Sequence, residues 1–186
     1  MQVNVKLEGV DAAKLKLALM RKRIDPVLRG ALNTTATKTR TERFVKPLNK
    51  TLAGKRVRAG MKVKRARRGL MNSRIIPSSA GIPVVMYKNW GMSDPISPTR
   101  ARIWVAGPNG HKTAAGFINP ASARKLPLAT RSQRGKYRYD YENLQLAQGP
   151  SLAYWFKGLA GPSTAAWAGE FLRKEFVRRA QKELDK

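Results

Sequence analysis

The hydrophobic positions change period along the chain, and those changes divide it into elements. Val3, Val5 and Leu7 alternate with polar neighbours, which predicts a short strand over 2–7. From Asp11, a candidate cap, the period lengthens. Leu15 and Leu19, with Leu17 and Met20 beside them, predict a helix over about 12–23. Asp25-Pro26 then reads as a restart, an N-cap followed by the helical position where a missing N–H costs nothing. Leu28, Ala31 and Leu32 give this second helix an apolar face. Thr34, Thr35, Thr37 and Thr39 continue it as a small, hydroxyl-rich face suited to close packing against another helix, expected to be a neighbouring subunit's. Pro47 is expected to end or kink it, and a short helix over about 48–58 follows with Leu48, Leu52 and Val57 inward.

Beyond residue 60 the signals turn extended. Residues 61–66 alternate in charge and size like an edge strand, 73–77 (SRIIP) and 83–87 (PVVMY) read as strands, and 67–69 is the exposed turn of a basic hairpin. GMSDPISPTR at 91–100 holds two prolines and reads as a loop. Residues 101–106 (ARIWVA) form the best strand, GPNG at 107–110 is a turn, and 115–118 (AGFI) is the returning partner. A further strand is placed at 126–129. Tyr137, Tyr139 and Tyr141 alternate on one strand face, and Leu144 and Leu146 carry the extended reading to Gly149-Pro150.

Tyr154-Trp155-Phe156 falls between Gly149-Pro150 and Gly158, a loop position where three large aromatics are hard to bury inside one small domain. A subunit interface is expected there. After Gly161-Pro162 a helix over about 163–184 carries Ala168, Phe171, Leu172, Phe176, Ala180 and Leu184 on one stripe. The four-apart pairs Glu170–Lys174, Glu175–Arg179 and Arg179–Glu183 support its wet side. Together these elements predict a single α+β domain over 1–186. N-terminal helices (about 11–60) and the C-terminal amphipathic helix pack on a mostly antiparallel sheet (about 61–148) that includes the basic hairpin.

Charge changes the picture most. Lys and Arg number 38 against 11 acids, a net charge of +27. Between Glu42 and Asp94 no acid interrupts the basic residues, which are densest over 54–74 (GKRVRAGMKVKRARRGLMNSR). Such a segment repels itself unless a polyanion or many counterions lie close. Lys55, Arg56, Arg58, Lys62, Lys64, Arg65, Arg67 and Arg68 are therefore candidates to face nucleic-acid phosphates. Further basic residues between Asp94 and Asp140 spread the charge along the chain, which suits a DNA-lined channel or a nucleic-acid scaffold better than a compact sequence reader.

Candidate chemistry is sparse. The absence of cysteine excludes disulfides and thiolate metal sites, and the 42% apolar content with four Trp argues against a disordered basic tail. The N-terminus has no apolar signal core and no stretch approaches the ~20 apolar residues of a membrane span, so a protein without membrane partners is expected, made and kept in the cytoplasm or in a particle assembled there. The single histidine, His111, reads as an exposed turn residue. It separates Gly110 from Lys112 in GPNGHKT and so breaks the phosphate-loop pattern, which needs Gly followed directly by Lys. Asp140 and Glu142 could share a strand face but more simply offset Lys136 and Arg138. No catalytic residue, metal ligand or cofactor is expected, and an enzyme is not the reading.

The chain resembles the lambda-type minor tail protein Z family, the tail completion proteins of long-tailed phages. The likeness runs from the Ala/Thr-rich helix around 31–43 through the basic Lys55-Arg56-Val57-Arg58 to Arg74-Ile75 and Ile82-Pro83-Val84. It continues in Ala115-Gly116-Phe117-Ile118, then in Leu144-Gln145-Leu146 before Gly149-Pro150-Ser151, with Gln145 where the family carries Pro. The order of these short motifs carries it.

The resemblance implies a non-catalytic α+β subunit in a ring, expected to be hexameric, at the head-proximal end of a tail. Its implied partners are other copies of itself, the tail tube or tail terminator protein, the head–tail connector proteins, and phage DNA bound without sequence specificity. Its implied location is the virion, after synthesis in the host cytoplasm. The alternative is a free, sequence-independent nucleic-acid-binding protein of ribosomal or nucleoid type. A nuclease is disfavoured by the lack of convergent acids.

Overall fold

The chain enters the fold through a run of helix longer than its local signals predict. The structure, a computed structural model, describes residues 10–53, 56–130, 132–133, 136–137 and 144–185. The expected strand at 2–7, and Tyr139 and Tyr141 of the tyrosine strand, lie outside these residues. Helix α1 spans Val10–Thr39 and passes through Asp25-Pro26 instead of restarting there. An interior proline removes a rung and costs about 3 kcal/mol in an isolated helix. Here the residues beyond it are held by packing on the C-terminal helix, and Pro26 itself is exposed.

Nor does Pro47 end the helix. Residues Arg40–Val45 form a π turn, with the Lys46 N–H bonded to the Thr41 carbonyl, and α2 (Lys46–Thr51) follows directly. The widened turn lies just before the proline ring, which in a regular α-helix would crowd the carbonyl of Arg43. Phe44 and Val45 are both buried there. The expected helix over 48–58 is divided into α2 and a single turn, α3 (Arg56–Ala59); Leu48, Leu52 and Val57 are all inward, as anticipated.

Strands β1 (Met61–Lys64) and β2 (Arg74–Pro77) form the antiparallel basic hairpin. Its tip closes with an Arg67–Leu70 bridge and Gly69 at φ 78°. A seven-stranded antiparallel sheet, three long strands extended by short ones, forms the rest of the main sheet structure. The segment 83–87, expected as a strand, supplies only the end of β3 (Ile82–Pro83) before a 3-10 turn over Val84–Met86.

The expected loop at 91–100 is mostly strand β4 (Trp90–Ser97), an edge strand with register shifts on both sides of Pro95. An edge position and a bulge are where a proline lacking its N–H is tolerated. Strand β5 (Arg100–Gly107) buries Ala101, Ile103 and Val105 completely, and β6 (Gly110–Ile118) returns from the expected turn.

The far edge of β6 is shared. β7 (Leu128–Thr130) meets it at Phe117, and β11 (Gln148–Gly149) meets it at Ala115. Between these contacts sits Gly116 at φ 131°, where an added Cβ would lie 2.4 Å from the Leu128 carbonyl. β8 (Ser132–Gln133) pairs with β9 (Lys136–Tyr137), and β10 (Leu144–Leu146) pairs with β7.

The segment holding Tyr154-Trp155-Phe156 is not a loop but helix α4 (Leu152–Leu159), capped by Ser151, whose hydroxyl accepts from the Tyr154 N–H at 3.3 Å. Two of the three aromatics belong to the chain's own core. Trp155 is 3% exposed and donates its indole N–H to the Tyr87 hydroxyl at 3.1 Å, while Phe156 stacks on Phe44 at 4.3 Å. Tyr87 in turn donates to the Pro150 carbonyl at 2.6 Å, and burial pushes its phenol up to about 12 despite the indole bond, which lowers it. Only Tyr154 is exposed, so the expectation that all three form a subunit interface is corrected.

Helix α5 (Pro162–Leu184) matches the predicted span, and Ala168, Phe171, Leu172, Phe176 and Ala180 are half-buried along its stripe. It runs antiparallel to α1: Arg43 bonds Ser163 at 2.6 Å near one end, and Arg179 bonds Thr34 at 2.9 Å near the other. Two expectations change as a result. The threonine face of α1, with Thr35 and Thr39 buried, is covered by the chain's own helix rather than by a neighbour. Glu175 is not on a wet side. It is 8% exposed and held by Arg178 at 2.9 Å and Arg179 at 2.7 Å, and the Arg178 bonds in particular bring its carboxyl down to about 2.

Candidate nucleic-acid interface

The hairpin's alternation sorts its residues onto two faces. Met61 is buried and Val63 and Ile75 are half-buried on the inner face, while Lys62, Lys64, Arg74 and Ile76 are exposed on the outer one. The register places Lys64 directly opposite Arg74 and Lys62 opposite Ile76. Residues paired across antiparallel strands point to the same face, so three cations share it without an acid between them.

The hairpin is held at two points, one on the π turn and one on α1. The Arg40 guanidinium donates to the Met61 carbonyl at 3.3 Å, where the first strand begins. Beyond its end, the Ala66 N–H donates to the Asn33 side-chain oxygen at 2.7 Å and the Asn33 amide donates to the Ala66 carbonyl at 3.3 Å. Ala66 is buried by this contact, and Arg65, Arg67 and Arg68 on either side of it are left exposed. A groove of about 670 Å³ lies between helix and hairpin, lined by Arg29 and Asn33 on one side and by residues 62–67 with Ile76 on the other.

Of the residues singled out from the sequence, the structure gathers Lys62, Lys64, Arg65 and Arg67 around this groove. Arg68 is exposed at the hairpin tip and does not line it. Arg56 and Arg58 are exposed on α3, and Arg56 borders a separate, mainly apolar cavity of about 240 Å³ floored by Gly60 and Leu152. Lys55 lies outside the described residues.

Sequence reasoning missed Arg29 and Asn33. The available signal was their spacing, four apart and so on one helix face. His111 is exposed as expected but belongs to β6, where it stacks on Trp104 at 4.7 Å.

The arrangement can hold anions by charge and by guanidinium hydrogen bonds. Among the described residues no group of three or more His, Cys, Asp or Glu side chains could hold a metal ion, and Asp140 and Glu142 lie outside those residues. No helix among the described residues is long and apolar enough to cross a membrane. Comparison with protein-family models, with curated proteins and with solved structures finds no match to the chain.

Proposed function

We propose that the chain is a structural subunit of a long-tailed phage particle. In this reading it forms a ring at the head-proximal end of the tail, completes the tail, joins it to the head, and turns its basic hairpin toward the DNA channel. The observation that carries the DNA-facing part is the register pair Lys64–Arg74, with Lys62 on the same exposed face. Like charges directly opposite across a ladder are destabilising. A surface built this way is relieved when phosphates lie against it, and a net charge of +27 extends that attraction over the subunit.

The place in the particle rests on the ordered family-like motifs. The partners that follow are further copies of the chain, a tail tube or terminator protein, head–tail connector proteins, and DNA contacted through its backbone. No catalytic step is assigned. Disrupting the coding sequence in the phage that carries it tests the reading. DNA-filled heads and tails of normal length that fail to join, with the labelled subunit at the head-proximal tail end of intact particles, are expected. A subunit absent from particles and bound to bulk cellular nucleic acid would overturn the tail role in favour of the nucleoid-like alternative.

A further inference from the structure

We propose that the phosphate-facing surface has a second wall, made by Arg29 of α1, and that the groove between Arg29 and the hairpin grips a single phosphodiester ridge of duplex nucleic acid. This rests on the reading that the hairpin faces DNA, and it adds a binding residue from outside the basic run.

The groove is lined by Arg29, Lys62, Lys64, Arg65 and Arg67, and no acid is among its lining residues. Among the described residues none of these five side chains has an ion-pair or hydrogen-bond partner. Asp25, one turn before Arg29 on α1, does not line the groove. Five cations around one opening repel each other, and a ligand carrying repeated negative charge removes that repulsion.

The spacing of the walls is fixed. Asn33, one turn after Arg29, holds both backbone groups of Ala66, which lies between Arg65 and Arg67. Arg29 therefore faces the hairpin from a position tied to it by two hydrogen bonds rather than from a freely moving helix. Cations on both sides suit a ridge that enters the groove, as a phosphate backbone does, and guanidinium groups match phosphate oxygens in pairs.

The lining also bears on selectivity. Base edges are read by Asn, Gln, Asp, Glu or a bidentate Arg in a nucleic-acid groove. The one side-chain amide here, Asn33, is already engaged by Ala66, and the remaining lining residues Val63, Ala66 and Ile76 are apolar. What the groove offers a ligand is therefore its five cations, placed on both walls as a backbone ridge requires, and equal affinity for unrelated sequences is expected.

Binding of a mixed-sequence duplex of about 30 base pairs, followed by fluorescence anisotropy from about 50 to about 300 mM salt, tests this. Arg29→Gln is expected to lower the slope of log K against log salt by about 0.9, the value for one phosphate contact, with an unchanged melting temperature. Arg29→Lys should restore the slope, and Arg124→Gln, an exposed arginine on the β6–β7 connection, should leave it as in the unaltered chain. If Lys64→Gln and Arg67→Gln flatten the slope while Arg29→Gln does not, the second wall is wrong and the hairpin reading stands. If none of the three changes it, the DNA-facing reading falls as well. Displacement of the duplex by poly-glutamate at equal charge concentration would assign the groove to an acidic protein and overturn the phosphate proposal.

Discussion

Asn33 and Ala66 are 33 residues apart, yet one side chain satisfies both backbone groups of the other residue, accepting from its N–H at 2.7 Å and donating to its carbonyl at 3.3 Å. Ala66 is 4% exposed, so water does not readily replace either bond. The pair joins the first helix to the basic hairpin and sets the width of the groove between them.

Asn33→Ala is accordingly expected to lower stability by about 1–3 kcal/mol, because it leaves a buried donor and acceptor unmatched. It should also weaken duplex binding although no charge is altered. Urea unfolding together with binding isotherms checks this. Weakened stability with fully retained affinity would mean that the groove's width does not matter to the ligand.

Trp155→Ala should act on the fold rather than on subunit contacts. The indole is in the core, bonded to Tyr87, and its rim lies against Gly107, where an added Cβ would be 2.2 Å from the ring. Removing a buried aromatic of this kind costs about 3–5 kcal/mol. Tyr154→Ala, on the exposed side of α4, should change stability by no more than about 0.5 kcal/mol. Thermal melts of the two variants separate the cases, and equal losses would contradict the assignment of Trp155 to the core.

Glu175 gives α5 an acid-sensitive clasp on Arg178 and Arg179, and Arg179 in turn reaches Thr34 of α1. Its carboxyl has an ordinary value of 4.5 and is lowered to about 2 in the fold, first by the Arg178 hydrogen bonds. Between these values the unfolded chain binds the extra proton, so this contribution is present above about pH 4.5 and disappears as pH falls toward 2. Glu175→Gln should be less stable at neutral pH and should lose less stability on acidification over that interval. Melting temperatures of both proteins across the acid range test it; parallel curves would rule out the clasp.

The legible parts of the fold were those where one signal runs long without a competing one. Helix α5 keeps its apolar stripe for 23 residues after a Gly-Pro start, and the hairpin alternates Lys with apolar residues. Misreadings came where punctuation and packing disagree. Leu152, Trp155, Phe156 and Leu159 follow helical spacing behind a Ser151 cap, but the neighbouring glycines and proline suggested a loop. Pro26 suggested a break, and tertiary packing carried α1 through it. Pro95 suggested a loop, and an edge strand took it at a bulge. The basic wall of the groove was legible from charge density alone. Its other wall was not, because local periodicity says nothing about which helix face a hairpin will meet 33 residues later.

In the proposed role the exposed cations of the hairpin meet phosphates and not bases. The direct measurement is duplex affinity as a function of salt, on two unrelated sequences, for the unaltered chain and for the combined Lys64, Arg65, Arg67 and Arg68→Gln variant. With about six phosphates neutralised, the slope of log K against log salt should be near −5, equal on both sequences, and flatter by several units in the variant. A tenfold preference for one sequence that persists at high salt, or a slope unmoved by the four substitutions, would contradict it.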